Sequence, residues 1–143
     1  MVRVSSGGYL TLRAVADTHA VIWYLYDDPQ LSPRAREFID EASSGGDQIG
    51  FSSITLAEII YLTEKGRIPA DRFAMLLNST DSQDAVLAEL PFSRYVAEAM
   101  RRVNRSQVPD LPDRIIAATA LYRGAPLISR DRKIRLSSVS TLW

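Results

Sequence analysis

Asp17, Glu58, Asp113 and Asp131 each stand where an apolar segment meets a turn or inside an apolar helix, in a chain of 143 residues. Carboxylates are rarely buried unless they are paired or coordinate something. Acids set in runs such as Ala14-Val15-Ala16-Asp17 and Ile54-Thr55-Leu56-Ala57-Glu58-Ile59-Ile60 therefore call for a compensating charge. All-oxygen donor sets select hard cations, here Mg²⁺ or Mn²⁺, and a chain with no cysteine and one histidine leaves almost nothing for zinc or copper. The chemistry implied is phosphate chemistry, with Asp17, Asp113, Glu58 and Asp131 as candidate metal ligands and catalytic residues.

Each acid also has a local structural reading. Asp17 is placed to cap a helix, because an aspartate accepts bonds from the free amides of a helix start. Thr18 beside it is a candidate support that hydrogen-bonds a carboxylate or a water, and His19 reads as a turn residue. Asp110 and Asp113, spaced i, i+3 at a helix start, make a capping arrangement, with one acid left to bind metal and the other to position it. Asp131, after the candidate support Ser129, also reads as an ordinary turn residue. Glu58 is the least easily explained by structure. Ile54, Glu58, Tyr61 and Leu62 share one helical face while Leu56, Ala57, Ile59 and Ile60 cover the rest, a pattern that predicts a buried helix.

The elements that must position these residues follow from periodicity and punctuation. Ser5-Ser6-Gly7-Gly8 reads as a flexible lead-in, and Leu10 to Ala16 as a strand ending at Asp17. Ala20 to Leu25 is helical, Ser32-Pro33 opens a helix to about Ser43, Gln48 to Ser52 is a strand, and Ser53 begins a helix through Glu64. Asp71 to Asn78 reads as a helix, Ala85 to Leu90 as a strand and Ser93 to Asn104 as an amphipathic helix. Asp110-Leu111-Pro112-Asp113 leads into a helix from Arg114 to Tyr122 that Gly124 stops; strands follow at 126–129 and 139–142. The alternation predicts an α/β fold, a single domain with a mostly parallel central sheet flanked by helices on both faces. In such sheets ligands bind beyond the carboxyl ends of the strands, where Asp17 and Asp131 fall.

One domain suffices for this length, and 46% hydrophobic with 24% charged residues is ordinary for a globular protein. No apolar run approaches the roughly 20 residues of a membrane helix, and the first residues lack the apolar stretch of a signal peptide, so the expectation is a cytoplasmic protein with no membrane partner. Charge is balanced, 17 basic against 17 acidic residues, so any attraction to nucleic acid must come from its distribution. Arg101, Arg102 and Arg105 fall together and Arg130 and Arg132 follow near the end, which makes these five the candidate backbone contacts.

Val15-Ala16-Asp17-Thr18-His19-Ala20, Ser52-Ser53-Ile54-Thr55-Leu56-Ala57-Glu58-Ile59, Leu111-Pro112-Asp113-Arg114-Ile115-Ile116-Ala117-Ala118-Thr119-Ala120 and Leu127-Ile128-Ser129-Arg130-Asp131 resemble, in order and spacing, the four blocks of PIN-domain ribonucleases. Within that superfamily the chain is similar to the VapC toxins of bacterial type II toxin–antitoxin pairs. The resemblance runs from about Leu12 to Trp143, giving a PIN domain over 12–143 and leaving residues 1–11 as a lead-in outside the pattern. It implies a Mg²⁺-dependent endoribonuclease, with Asp17, Glu58 and Asp113 as the acidic core and Asp131 as the fourth, more variable acid. The expected products carry 5′-phosphate and 3′-hydroxyl ends. It also implies a cognate antitoxin that covers the acidic cleft, with Val21, Ile22, Trp23, Tyr24 and Tyr26 as a candidate docking surface or simply core, and a homodimer. Single-stranded or looped RNA is the favoured substrate, since unstacked bases are readable. The rival readings are a catalytically silent RNA-binding or scaffold protein of the same fold, and a receiver-type regulatory domain. The receiver reading wants an acidic pair after the first strand, where Thr18 follows Asp17, and a lysine after a late strand, where Arg130-Asp131 stand.

Overall fold

The computed structural model describes residues 11–143 together with two short antiparallel strands, β1 (Val4–Ser5) and β2 (Gly8–Tyr9). The lead-in expected over residues 1–11 falls largely outside the described residues. From β3 (Leu12–Ala16) the chain continues through α1 (Thr18–Leu25), α2 (Pro33–Ser44), β4 (Gln48–Ser52), α3 (Ile54–Glu64), α4 (Arg72–Asp81) and β5 (Leu87–Leu90). It ends with α5 (Arg94–Ala99), α6 (Leu111–Arg123), β6 (Leu127–Ile128), α7 (Arg132–Arg135) and β7 (Thr141–Leu142).

Short polar side chains set the helix starts. Asp17, Ser32, Ser93, Asp110 and Asp131 each accept a bond from the backbone amide three residues on, satisfying a donor that the helix itself cannot. Gly124 closes α6 in the left-handed conformation, φ 64°, which a glycine adopts without penalty.

The strands β3 to β7 form one sheet in the order β5-β4-β3-β6-β7, with every pairing parallel. Successive strand residues face opposite sides, so Ala14, Ala16, Ile49, Phe51, Leu87 and Ile128 join one core layer with residues of α1 to α4. Val15, Leu90 and Leu127 join a second layer with residues of α5, α6 and α7. Gly50 in β4 lies where a Cβ would stand 2.4 Å from Leu90 Cδ1, so its lack of a side chain lets Leu90 cover the strand.

Three expectations need correction, and one short helix lies outside them. The helix opened by Ser93 does not run to Asn104: α5 ends at Ala99 in a 3₁₀ turn over Met100–Arg102. Arg114 of α6 donates to the carbonyls of Met100 at 2.9 Å and Val103 at 3.2 Å, holding the chain in the turn that ends the helix. α7, only four residues, is too short for periodicity to reveal. Of the candidate docking residues in and after α1, Val21, Ile22 and Trp23 are buried in the core, while Tyr24 and Tyr26 are half-buried. Finally, α3 is not a buried helix. Only Thr55 and Ile59 are fully covered, while Ile60 and Tyr61 are 44% and 58% exposed, because among the described residues α3 packs chiefly against α1, α4, α6 and β4, which leaves these two side chains to solvent.

Candidate active site

The chain builds outward from β3 through β4 to β5, then returns to lay β6 on the other side of β3. Connections leaving β3 and β6 therefore diverge, and a crevice opens at their carboxyl ends. Asp17 follows β3 and Ser129 to Asp131 follow β6, one on each side of it. A cleft of about 950 Å³ occupies this place, lined by Asp17, Thr18, Glu58, Asp110, Asp113 and Asp131. Glu58 reaches it from the second turn of α3 and Asp113 from the first turn of α6.

The capping alternatives hold for three of these acids and coexist with the cleft. Asp17 accepts from Ala20 N–H at 2.9 Å, Asp110 from Asp113 N–H at 3.1 Å and Asp131 from Ile134 N–H at 3.1 Å. A carboxylate has a second oxygen, so a cap on one side leaves an acceptor on the other. Glu58 and Asp113 carry no such cap and face the cleft at a cost.

That cost is visible in proton affinity. Burial raises the Asp113 carboxyl from its ordinary 3.8 to about 7, and repulsion from Asp110, Asp131, Glu58 and Asp17 acts in the same direction. Asp17 is raised, again chiefly by burial, against the lowering effect of hydrogen bonds from Ser129 and the Ala20 amide. Glu58 is raised by burial too, against the hydrogen bond from Thr18. Carboxylates that resist ionisation together are short of positive charge.

Supporting side chains tie the acids to one another. The fully buried Ser129 hydroxyl bonds to Asp17 and accepts the Asp131 N–H at 3.0 Å, linking the two sides of the crevice. Thr18 donates to Glu58 Oε1 at 2.5 Å and lies 2.9 Å from the hydroxyl of Thr55, a residue that sequence reasoning passed over.

A cationic rim surrounds the acids. Arg130 and Arg132 line the cleft, as do Lys133, Arg67 and Arg72. The Arg130 guanidinium sits over the Trp23 ring, 4.5 Å from its centroid, and that of Arg72 sits over Tyr26 while pairing with Asp71 at 3.0 Å. Arg67 and Arg72 were not singled out from sequence; the signal was Gly66, whose φ of 71° turns the chain at the end of α3 and brings Arg67 to the rim. Arg101, Arg102 and Arg105 are not in the lining. The early end of α5 carries them away, and Arg101 pairs instead with Glu98 at 3.3 Å.

Mg²⁺ or Mn²⁺ fits this donor set: the acceptors are all oxygen, and burial together with mutual repulsion raises the proton affinity of Asp17, Glu58 and Asp113, a charge deficit that a dication would offset. Among the described residues no group of three or more His, Asp or Glu side chains is already arranged to hold a metal ion, so binding would have to draw the carboxylates inward.

A parallel α/β sheet with clustered acids at its topological switch point defines the class, and the chain matches the PIN domain over residues 14–139; it belongs to the PIN domain family. It is 28% identical over 120 residues to Ribonuclease VapC22 of Mycobacterium tuberculosis (strain ATCC 25618 / H37Rv), covering 83% of this chain and 87% of that protein. Two solved structures share the fold. One is VapBC2 from Rickettsia felis bound to a DNA fragment from their promoter, at TM-score 0.65 and 18% identity, covering 90% of this chain and 97% of that one. The other is a toxin–antitoxin complex from Klebsiella pneumoniae, at TM-score 0.55 and 22% identity, covering 86% and 91%.

Proposed function

We propose that this protein is a metal-dependent endoribonuclease toxin of the VapC type, held inactive by a cognate antitoxin. The observation that carries the reading is the set of carboxylates at the sheet's switch point, short of positive charge and ringed by arginines. The ribonuclease name of the relative and the toxin–antitoxin assemblies among the structural neighbours support it.

Asp17 and Asp113 are the principal metal-holding residues, Glu58 holds metal or orients water, and Asp131 serves a second or outer position. When bound, Mg²⁺ or Mn²⁺ supplies activation of water at neutral pH and relief of the charge that gathers on the phosphate. The chain's own groups do the rest. Ser129 and Thr18 hold Asp17 and Glu58 in place, Asp110 fixes the first turn of α6 that presents Asp113, and Arg67, Arg72, Arg130 and Arg132 draw the RNA backbone across the acids. Water attacks phosphorus and the 3′ oxygen leaves, giving 5′-phosphate and 3′-hydroxyl ends. A homodimer in the cytoplasm, with an antitoxin segment offering a basic side chain to the cleft, belongs to the same reading; among the described residues no helix is long and apolar enough to cross a membrane.

The test is cleavage of a mixed RNA pool by antitoxin-free protein in Mg²⁺, in chelator, and by Asp113→Asn in Mg²⁺. Cutting that needs metal and disappears in the variant is the expected result. RNA binding without cutting in any lane would favour the silent RNA-binding protein instead.

A further inference from the structure

We propose that Thr55 is a positioning residue that holds Glu58 through Thr18, a two-hydroxyl relay running from inside the protein to the cleft. The proposal rests on the metal-dependent reading above and concerns a residue outside the cleft lining. Thr55 is fully buried in the first turn of α3, three residues before Glu58, so both project toward the same side of the helix. Thr18, 3% exposed at the start of α1, stands between them, its Oγ1 2.9 Å from Thr55 Oγ1 and 2.5 Å from Glu58 Oε1.

Counting protons sets the direction of the relay. An ionised carboxylate only accepts, so Thr18 must spend its single proton on Glu58. Its oxygen then has lone pairs alone to offer Thr55, and Thr55 must be the donor in that contact. A buried hydroxyl without a partner is costly, so the Thr55 proton is committed where it is. Each bond polarises the next, and the bond that reaches Glu58 is charge-assisted. Thr55 thereby fixes the rotor of Thr18, and Thr18 commits Oε1 of Glu58 to the protein, leaving the other oxygen to the cleft. Groups that orient metal-binding side chains in this way typically account for about 10- to 100-fold in affinity.

The experiment measures Mn²⁺ affinity by calorimetry, independently of cleavage, for the wild type, Thr55→Val, Thr55→Ser and Glu58→Ala, and for Thr55→Val combined with Glu58→Ala. Thr55→Val keeps the shape and removes the donor; it should weaken Mn²⁺ binding about 10-fold and lower kcat with KM for RNA unchanged. Thr55→Ser should restore affinity to within about twofold, since the hydroxyl is retained. In the Glu58→Ala background Thr55→Val should cost nothing further, because residues acting through one another are non-additive. If Thr55→Val binds Mn²⁺ like the wild type, or weakens it equally in both backgrounds, the relay is overturned. Should Thr55→Val not fold, Thr55→Ala takes its place as the variant without the donor, and Mn²⁺ binding like the wild type there overturns the relay. A wild type that binds no Mn²⁺ sinks the metal-dependent reading instead, a result distinct from any failure of Thr55.

Discussion

Neutralising Asp113 should make the metal-free protein more stable at alkaline pH. Burial first, and then the charges of Asp110, Asp131, Glu58 and Asp17, raise its carboxyl from 3.8 to about 7. The folded state thus holds this proton more tightly than the unfolded chain. Its contribution to stability is complete below the unfolded value of 3.8 and is lost as pH rises through about 7. At about 1.36 kcal/mol for each tenfold in proton affinity, the full displacement is roughly 4 kcal/mol. The carboxyl is only partly buried, and solvent screening reduces this to about 2 kcal/mol, or about 6 °C in Tm for a chain of this size. Thermal melts in chelator at pH 5 and pH 8 read somewhat over half of it, about 4 °C, because the unfolded carboxyl is already ionised at pH 5. The wild type should melt several degrees lower at pH 8. Asp113→Asn, neutral at both values, should lose most of that difference and melt above the wild type at pH 8. The substitution leaves the α6 cap intact, because it is the backbone amide of residue 113 that Asp110 accepts. Asp17 and Glu58, also raised by burial, tilt both proteins the same way, so the gap between them isolates Asp113. A wild type equally stable at pH 5 and pH 8 in chelator, or a variant with undiminished pH dependence, would refute the reasoning.

Asp17→Asn and Asp17→Ala should both abolish cleavage, but denaturant titration should find the alanine variant about 1 kcal/mol less stable, since only asparagine still caps α1. Gly50→Ala should cost about 2 kcal/mol in urea unfolding, because a Cβ would meet the buried Leu90 at 2.4 Å. Arg67→Gln with Arg130→Gln should weaken RNA binding and reduce the slope of log Kd against log salt by about 0.7 for each phosphate that is no longer neutralised, whereas Arg101→Gln, already paired with Glu98, should leave both unchanged. Titrations of Asp113→Asn protein at several salt concentrations, which bind without cutting, supply these constants.

What could be read from the sequence was what local rules govern. Strand and helix order, the helix starts at Ser32 and Asp110, the stop at Gly124 and the parallel sheet all followed from periodicity and capping. The four acids stood out because carboxylates in apolar runs need a reason. What escaped was decided by residues distant in sequence. The early end of α5 depends on Arg114 from α6, and the rim position of Arg67 on a turn between α3 and α4. Thr55 reads as an ordinary helical residue until Thr18, 37 residues away in sequence, is folded against it. The all-round apolarity of α3 announced that its faces needed cover, but not that Ile60 and Tyr61 would stand exposed.

The acids of the cleft divide into two kinds, and the division bears on how such a protein loses its activity. Asp17 and Asp131 hold down helix starts, so replacing either with a non-capping residue frays a helix and invites proteolysis. Glu58 and Asp113 hold down nothing of that sort, and their charge works against the fold. In a host burdened by the active protein, spontaneous attenuated alleles should therefore gather at these two codons. They would leave an intact, inert protein that persists in the cell and still occupies its partner.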